Sequence, residues 1–392
     1  MTTKLRAASF QDNAVTTAKI AADAITNAKI ADGAVQTENV ASTVNLGRRN
    51  IIINGAMQVA QRGTSTADIG GSGGYFTCDR MYMDFVSLTG RLTQTQSTIT
   101  DLPGFTNALK LDCTTADTSI SAGEIAFLQY RIEGQDLQKF KKGTSDAEKM
   151  TVSFYVKGNG NATYVMELYD NDNTRQISKT FSVTSSWNRV TLTFDGDTTG
   201  AFDDDNGLSL YVLFWLHAGS NYNSGTLSTS WSSVTSANRA VGGDSFFSST
   251  DNEFFITGLQ MEVGSQATPF EHRSFAEELS LCQRYFFQIN GTGTEYAGMG
   301  AGQMYNATTF LGDFKTPVPM RVKPSFSLNN SLSTTNFCVV TSGYVRAISS
   351  LTPTGDNQYL RLNAAVTSSG TQGHGAYIQL QSGYNALWSA EL

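Results

Sequence analysis

"KTFSVTSSWNRVTLTFDG", residues 179–196, decides the fold class, because hydrophobic and polar side chains alternate along it on either side of a short polar break. Alternation with a period of two is typical of strands, whose successive side chains point to opposite faces. The segments 150–160, 162–174 and 208–219 show similar short alternating or apolar runs, separated by Gly, Asn, Asp and Ser. Evenly spaced short strands with polar turns predict an all-β sandwich.

The composition of the chain supports this prediction. Glycine is abundant at 36 residues, proline is scarce at 6, aromatic residues make up 11% and charged residues only 16%. Such a composition is typical of an all-β protein. The length of 392 residues leaves room for two ordinary domains after an N-terminal segment. The net charge of -7 comes with no basic stripe, which argues against a nucleic-acid partner.

The compartment can be inferred from what the chain lacks. Its longest apolar run, 208–216, is too short to span a bilayer, so membrane insertion is not expected. Residues 1–10 have no apolar region typical of a signal peptide. The four cysteines form no CxxC pair, so they predict neither a zinc site nor a disulfide framework. These features favour synthesis in a reducing cytoplasm.

The segment "FQDNAVTTAKIAADAITNAKIADGAVQTENVA", residues 10–41, nearly repeats every ten residues and carries a large apolar side chain every five. Neither a helix nor a lone strand collects such side chains on one covered face. Repeats that cannot bury their apolar side chains alone need stacking or partner chains. Residues 1–47 therefore predict an oligomeric stalk, with a disordered arm as the alternative. The side chains expected to join the copies are Leu5, Phe10, Val15, Ile20, Ile25, Ile30, Val35 and Val40.

Two β-domains are predicted to follow the stalk. The first, residues 48–275, contains the strand runs described above and ends in a strand with a Gly and Pro exit. Residues 275–286, "FAEELSLCQRYF", predict a short helical connector. Residues 276–392 show hairpin-length strands with glycine-rich turns and are predicted to form a second, C-terminal β-sandwich.

Two groups of segments carry a resemblance to known families. The runs "VSFYVKG" (152–158), "FSVTSSWNRVTLTF" (181–194) and "FFITGLQMEVG" (254–264) resemble the strands of carbohydrate-binding-module jelly rolls. The segments 45–65, 78–83, 258–286 and 317–328 are similar to the bodies of bacteriophage tail-fibre and related receptor-binding proteins. The ten-residue repeat resembles the N-terminal stalks of those proteins.

The resemblance implies a homotrimeric virion protein, made in the host cytoplasm. Its N-terminus would dock to other virion proteins, and its β-domains would adsorb to a polysaccharide on the host surface. One alternative is a head fibre or decoration protein on the capsid, because the sequence does not identify the neighbour of the N-terminus. A second alternative is a tailspike depolymerase that cuts the glycan.

The motifs that suggest catalysis fail their context tests, so the chain is not expected to be an enzyme. "GGSGG" (70–74) has the form GxSxG but precedes a strand rather than opening a helix. "GMGAG" (298–302) lacks the helix of a dinucleotide site. His217, His272 and His374 show no metal-ligand spacing and are predicted to be structural.

An acidic loop, "DGDTTGAFDDDNG" (195–207), is the one candidate for a metal site. Clustered carboxylates suit Ca²⁺, and several carbohydrate-binding jelly rolls hold a structural calcium, although Asp and Gly also suit an exposed turn. The sequence indicates no required cofactor, and Ca²⁺ is the one metal ion that the acidic loop suggests. The candidate ligands are Asp195, Asp197, Asp203 and Asp205.

Glycan recognition uses flat aromatic faces against sugar rings, with polar groups around them. Trp187 and Trp215 lie within strand patterns and are predicted to belong to the core. Aromatic residues in loops or near glycine-rich turns are the candidate glycan contacts, although packing or a subunit interface is the commoner role of any one such side chain. These candidates are Tyr222, Trp231, Tyr296, Tyr305, Tyr384 and Trp388.

Overall fold

The computed structural model describes residues 48–290, 297–328, 337–381 and 383–392. The predicted stalk, its eight apolar side chains (Leu5 to Val40) and Tyr296 lie outside these ranges. In the described ranges the chain is nearly all β, as predicted. None of the helices in these ranges is long and apolar enough to cross a membrane.

The first part of the described chain contains thirteen strands and one short helix. The strands are β1 (Ser65–Ile69), β2 (Gly74–Tyr75), β3 (Tyr82–Val86), β4 (Arg91–Thr98), β5 (Asn107–Thr115), β6 (Ile125–Glu133), β7 (Met150–Gly158), β8 (Ala162–Asp170), β9 (Arg175–Val183), β10 (Asn188–Phe194), β11 (Leu208–Ala218), β12 (Ser232–Ser233) and β13 (Glu253–Val263). The helix is α1 (Ser220–Asn223), and single 3₁₀ turns occupy Gly134–Asp136, Gln138–Phe140, Ser236–Asn238 and Phe246–Ser248.

These strands form two antiparallel sheets. One has the order β1-β4-β5-β13-β7-β10, and the other has the order β12-β9-β8-β11-β6-β3-β2. The chain passes repeatedly from one sheet to the other, as in a jelly roll. The hydrophobic runs predicted strands β7, β8 and β11, and residues 179–196 form the end of β9, a turn and β10.

One hydrophobic core lies between the two sheets. Alternate residues of β6 and β11, such as Leu128 and Phe214, point inward and are almost completely buried. They pack with inward side chains of the other sheet, such as Phe154 on β7, whose ring meets that of Phe214 edge to face at 5.1 Å. Burial of each large apolar side chain contributes about 1.5–3 kcal/mol, so this shared core stabilises the pairing of the sheets.

The rest of the described chain begins with α2 (Phe275–Gln283), which confirms the predicted helical connector. Ser274 caps it by accepting a hydrogen bond from the Glu277 amide. Nine strands follow: β14 (Phe286–Asn290), β15 (Ala297–Asn306), β16 (Thr309–Lys315), β17 (Ser325–Leu328), β18 (Phe337–Thr341), β19 (Tyr344–Gly355), β20 (Tyr359–Val366), β21 (Gly375–Leu380) and β22 (Asn385–Ser389).

The prediction of a second β-sandwich in residues 276–392 is wrong. Six strands close into a barrel in the order β15-β16-β20-β19-β18-β21, and β14, β22 and β17 form a separate three-stranded sheet beside it. Glycine allows two of these strands to approach closely, because Gly302 of β15 pairs with Gly312 of β16. A Cβ atom at Gly302 would lie 2.0 Å from the Leu311 carbonyl oxygen, so only glycine permits this close approach of the strands.

A buried ionic joint connects the jelly roll to the C-terminal part. The Arg80 guanidinium, 1% exposed, pairs with the Glu391 carboxylate at 2.5 Å and stacks on the Tyr285 ring. Arg284 pairs with Glu133 of β6 at 2.7 Å, and the Tyr285 hydroxyl donates to the same carboxylate. Because the partners come from both parts, these pairs fix one part against the other.

Candidate functional site

The strongest candidate for a binding site is the outer face of the seven-stranded sheet, which is the face turned away from the core. Along β6, even-numbered side chains such as Leu128 enter the core, so Phe127, Gln129 and Arg131 point to the outer face. The same alternation on β11 turns Tyr211 outward. This face is therefore set by the period of two along strands whose other side is the core.

Strand pairing places polar and aromatic side chains in rows across this face. Arg131 of β6 lies opposite Tyr211 of β11, which lies opposite Tyr169 of β8. In the neighbouring row, Tyr82 of β3 lies opposite Gln129. Side chains directly opposite each other on neighbouring strands are in contact distance, so three tyrosines and an arginine share one surface.

A cavity of about 210 Å³ opens on this surface, which we call the tyrosine cleft. Tyr169 and Tyr211 form one wall, with ring centroids 5.6 Å apart and an interplanar angle of 67°. Burial raises the pKa of the Tyr211 hydroxyl, so this group stays a neutral donor and acceptor at physiological pH. The residues that line the cleft are Asp84, Phe127, Gln129, Arg131, Tyr169, Asn171, Tyr211, Leu213 and Arg239.

Two arginines lie over the tyrosine rings of this face and restrict their movement. The Arg131 guanidinium lies 4.0 Å from the centre of the Tyr82 ring and 5.8 Å from that of Tyr211. Arg239 lies 4.9 Å from the centre of the Tyr169 ring. Cations over aromatic faces contribute about 0.5–2 kcal/mol each and restrict the rotamers of both partners.

The floor of the cleft is held by a buried carboxylate. Glu167 of β8 accepts hydrogen bonds from Arg239 Nε at 2.9 Å and Nη2 at 3.1 Å, and from Trp215 Nε1 at 2.7 Å. Burial raises the pKa of Glu167, while the Arg239 charge opposes that shift. Because Glu167 is saturated by these donors, it positions Arg239 and Trp215 rather than facing a ligand.

Asp84 is a second carboxylate at the cleft, and it accepts fewer hydrogen bonds than Glu167 does. Its Oδ1 accepts the Phe85 amide at 3.0 Å, and burial raises its pKa, opposed by Arg131. Asn171 adds a side-chain amide at the cleft edge. The cleft thus combines aromatic walls with hydroxyl, amide, guanidinium and carboxylate groups, as polar ligands with apolar faces require.

The connection between β11 and the end of the Ser236–Asn238 turn lies beside this face, and it contains α1 and β12. The ring of Tyr222, a predicted glycan contact, lies 5.5 Å from that of Trp215 and is half-buried against it. Trp231, another predicted contact, is partly buried and donates from Nε1 to the Asp195 carbonyl at 2.8 Å. Both side chains therefore take part in packing, and neither lines the cleft.

The C-terminal candidates are scattered. Trp388, fully buried, stacks on Phe314 with ring centroids 4.8 Å apart, so its prediction as a glycan contact is corrected to a core role. Tyr384 is half-buried against the same core, and Tyr305 is 56% exposed on β15. Trp388 lies in β22, and the alternation of side chains along this strand points it inward. The nearby glycine-rich turn led to the prediction that Trp388 contacts a glycan.

Of the two tryptophans predicted to lie in the core, Trp215 is 2% exposed, as expected. Trp187 is instead half-buried at the surface, where its Nε1 donates to Asp101 at 2.9 Å. It lies in the turn before β10 rather than within a strand. This position explains its exposure, because turn residues run over the surface.

The acidic loop does not gather its carboxylates. In the part of the chain that the structure describes, no three His, Cys, Asp or Glu side chains are placed to share a metal ion. Asp195 faces solvent beside Lys149 at 3.2 Å, Asp203 donates its amide to Asp172, and Asp205 accepts the Gly207 amide at 2.7 Å. The four predicted ligands therefore serve as turn and surface residues or, for Asp197, in an ion network.

A lysine supplies the positive charge at Asp197. The buried Lys142 ammonium lies 3.1 Å from Asp197 and 2.5 Å from Asp170. It also donates to the carbonyls of Thr199 at 2.9 Å and Gly200 at 2.7 Å. Arg175 binds Asp197 from the other side at 2.6 Å. Carboxylate and carbonyl oxygens thus surround a protein cation here, and the charge of Asp197 is balanced by Lys142 and Arg175.

Sequence reasoning missed the cleft residues because they lie within strands rather than loops. A signal existed: β6 and β11 are hydrophobic on one face, yet Gln129, Arg131 and Tyr211 interrupt the other face at alternate positions. Polar and tyrosine side chains on the second face of a central strand indicate an exposed or ligand-facing surface. Which strands would bring them together depended on long-range pairing.

Comparison with known proteins gave three kinds of result. No family model matches the chain, and no curated protein does. Among solved structures, the enzymatically active domain of tailspike protein 4 from bacteriophage CBA120 is 11% identical, with a TM-score of 0.28. That alignment covers 55% of this chain and 21% of the tailspike domain, so the chain spans about a fifth of that protein.

Two carbohydrate-binding modules are similar over nearly their own full length. A structure described as CBM4 is 8% identical, covers 54% of this chain and 97% of its own, and has a TM-score of 0.29. The family 11 module of Clostridium thermocellum, in complex with a mixed-linked tetrasaccharide, is 11% identical, covers 53% and 97%, and has a TM-score of 0.26. At these TM-scores the likenesses carry no weight for function, which is inferred below from the cleft.

Proposed function

We propose that this protein binds a glycan in the tyrosine cleft. The observation that carries the proposal is the row of Arg131, Tyr211 and Tyr169 on the outer face of one sheet, beside a cavity of about 210 Å³. A sugar ring presents an apolar face of C–H groups and an edge of hydroxyls. Tyrosine rings pack against the C–H face, and guanidinium, amide and carboxylate groups hydrogen-bond the hydroxyls.

Binding is favoured over cleavage by the carboxylates of the cleft. A glycosidase uses two carboxyl groups on either side of the bond that breaks. Among the residues that line the cleft, Asp84 is the one carboxylate, and Glu167 beneath it is saturated by Arg239 and Trp215. The depolymerase alternative therefore has no support from this site, and we propose a binding protein rather than an enzyme that cuts glycans.

The wider role is inferred from the sequence. The ten-residue repeat in residues 10–41 requires partner chains for its apolar side chains. Together with the resemblance of the body to tail-fibre proteins, it supports a homotrimeric virion fibre that docks by its N-terminus and adsorbs to a host surface polysaccharide. A head fibre differs only in the virion protein that the N-terminus contacts.

The experiment is a binding titration of purified protein against bacterial surface polysaccharides and defined neutral and acidic oligosaccharides. Tyr211→Ala should weaken binding about tenfold or more, because it removes one of the two rings that form the aromatic wall of the cleft. A tenfold change corresponds to about 1.4 kcal/mol. Tyr359→Ala is the matched control, since Tyr359 is 59% exposed on the barrel and remote in sequence from the cleft.

The opposite pattern would contradict the proposal. If Tyr211→Ala binds as the unmodified chain does, while Tyr305→Ala or Tyr359→Ala loses affinity, the glycan site lies on the barrel. Circular dichroism of each variant separates loss of binding from loss of fold. The Tyr211 side chain is partly exposed on the outer face and does not enter the core between the sheets, so we expect the sheet to remain intact.

A further inference from the structure

A chain of three hydrogen-bonded side chains lies away from the tyrosine cleft. His217, near the end of β11 and 1% exposed, contacts Ser245 Oγ through Nδ1 at 2.7 Å. Its Nε2 lies 3.3 Å from Glu124 Oε2, a carboxylate that is also almost completely buried. The order serine, histidine and carboxylate is that of an activated nucleophile with its base and the group that orients the base.

The chemistry of the partners fixes the direction of these hydrogen bonds. An ionised carboxylate only accepts, so the neutral imidazole carries its proton on Nε2 and donates it to Glu124. Nδ1 is then an acceptor, and the Ser245 hydroxyl must donate to it. The Phe247 amide donates to the same Oγ at 3.2 Å, which occupies a lone pair and leaves the hydroxyl proton for His217.

Ser245 also lines a cavity. This cavity has a volume of about 320 Å³ and lies between the β7–β8 turn and the segment around the Phe246–Ser248 turn. Asn159 and Asn161 bring side-chain amides to it from the β7–β8 turn. The Asn159 side-chain oxygen accepts the Glu253 amide at 3.1 Å, which orients the side chain. The lining of the cavity therefore offers amide groups that can hydrogen-bond a polar ligand.

We propose that Ser245 is the nucleophile of an esterase site, with His217 as its general base and Glu124 as the positioning residue. The substrate class is a carboxylic ester of a polar alcohol, because the lining of the cavity is rich in Asn, Ser and carboxylate groups. This activity is separate from glycan binding in the tyrosine cleft, because none of its three residues lines that cleft.

The reaction balances with water as the co-substrate. Ser245 Oγ attacks the ester carbonyl carbon as His217 Nδ1 takes the hydroxyl proton. The bond between that carbon and the alcohol oxygen breaks, and the alcohol leaves with the proton from Nδ1. Water then attacks the acyl-serine, again losing a proton to Nδ1, and the carboxylic acid leaves as Oγ recovers its proton.

The sequence interpretation of His217 as a structural residue rested on spacing alone. Glu124, His217 and Ser245 are far apart in the chain, and no motif links them. Triads occur in several chain orders on unrelated folds, so geometry rather than spacing identifies them.

The first test uses the unmodified protein. A fluorophosphonate probe is incubated with the full chain, and the modified peptide is identified by mass spectrometry. The reagent forms a bond from serine Oγ to phosphorus and expels fluoride, which requires an activated hydroxyl. Labelling at Ser245 is expected, and absence of labelling there under conditions that modify a control serine hydrolase would overturn the proposal.

The second test is hydrolysis of an aryl acetate. Ser245→Ala should reduce turnover to the uncatalysed rate, and His217→Gln should reduce kcat by about 100-fold or more. Ser350→Ala is the matched control, because Ser350 is exposed on β19 and does not line this cavity. Glu124→Gln should lower kcat with little change in KM, since Glu124 acts through the imidazole. Turnover that is equal in Ser245→Ala and the unmodified chain would refute the assignment.

Discussion

Lys142 shows at the scale of one residue why the acidic loop is ambiguous in sequence. Its side chain is completely buried, and it holds two carboxylates and two carbonyls within hydrogen-bond distance. A cluster of aspartates in sequence is compatible with calcium, a turn or an ion pair. The deciding partner is a lysine more than 50 residues upstream, which spacing within the loop does not reveal.

Replacing Lys142 by Met should therefore lower the free energy of unfolding by about 3–5 kcal/mol, because Asp170 and Asp197 would keep buried charges without this cation. Urea denaturation followed by tryptophan fluorescence measures the change. Lys141→Met is the control, because Lys141 forms an exposed pair with Glu148, and exposed pairs contribute little to stability. Equal stability of both variants would contradict the assigned role of Lys142.

Asp79 predicts a pH dependence. Burial raises its pKa to about 6, opposed by Arg62, whose Nη1 lies 3.8 Å from Oδ1. The folded-state pKa lies above that of the unfolded chain, so the native state binds this proton more readily. The contribution of Asp79 to stability therefore increases as pH falls from about 6 towards about 4, with a slope of at most about 1.4 kcal/mol per pH unit.

Asp79→Asn should remove this contribution. The difference in free energy of unfolding between the variant and the unmodified chain should change between about pH 4 and pH 7, with the asparagine variant gaining in relative stability at the higher pH. Denaturant titrations at both values provide the measurement, and the comparison cancels carboxylates common to both chains. A difference independent of pH would show that Asp79 does not titrate in this range.

At the scale of elements, strand periodicity was the most reliable signal. The alternation that gave β7 to β11 depends on neighbouring residues, so it is visible in one sequence. Closure of the C-terminal barrel is different, because it depends on which distant strands pair and on where the backbone bends. In the sequence, Gly300 and Gly302 are noticeable only within "GMGAG", which lacks the helix of a dinucleotide site. In the structure, Gly302 allows close contact between two strands.

Gly302→Ala should accordingly destabilise the barrel by about 1–3 kcal/mol, since its Cβ would collide with the Leu311 carbonyl. Gly298 lies on the same strand, and a Cβ atom added there would meet no other atom within 4 Å. Gly298→Ala should therefore change stability by less than about 0.5 kcal/mol. Thermal unfolding of both variants compares them directly. A larger loss at Gly298 than at Gly302 would contradict this role of Gly302 in the contact between β15 and β16.

The tyrosine cleft also belongs to the scale of elements. Tyr169 and Tyr211 are readable as strand residues, but their meeting requires the register of β8 on β11. Loop aromatics look more accessible in the sequence, yet Tyr222 and Trp231 pack against the sandwich. A general preference for aromatic residues in loops therefore selected Tyr222 and Trp231, which pack against the sandwich, rather than the tyrosines that line the cleft.

At the scale of the whole molecule, the N-terminal repeat predicts an oligomer. The five-residue spacing of apolar side chains in the N-terminal repeat has no use in a monomer. Light scattering should give the full chain three times the mass of one copy, and removal of residues 1–47 should yield a monomer if the repeat joins the copies. A full chain that is monomeric would contradict the fibre proposal, and a trimer that survives truncation would assign assembly to the β-domains.

Glycan binding by the tyrosine cleft can be observed in a crystal structure of the chain with its tightest-binding oligosaccharide. We expect a sugar ring against Tyr211 and Tyr169, with ring hydroxyls hydrogen-bonded to Arg131 or Asn171. A bound sugar on the barrel, for example at Tyr305 or Tyr359, with the cleft occupied by water alone, would contradict it.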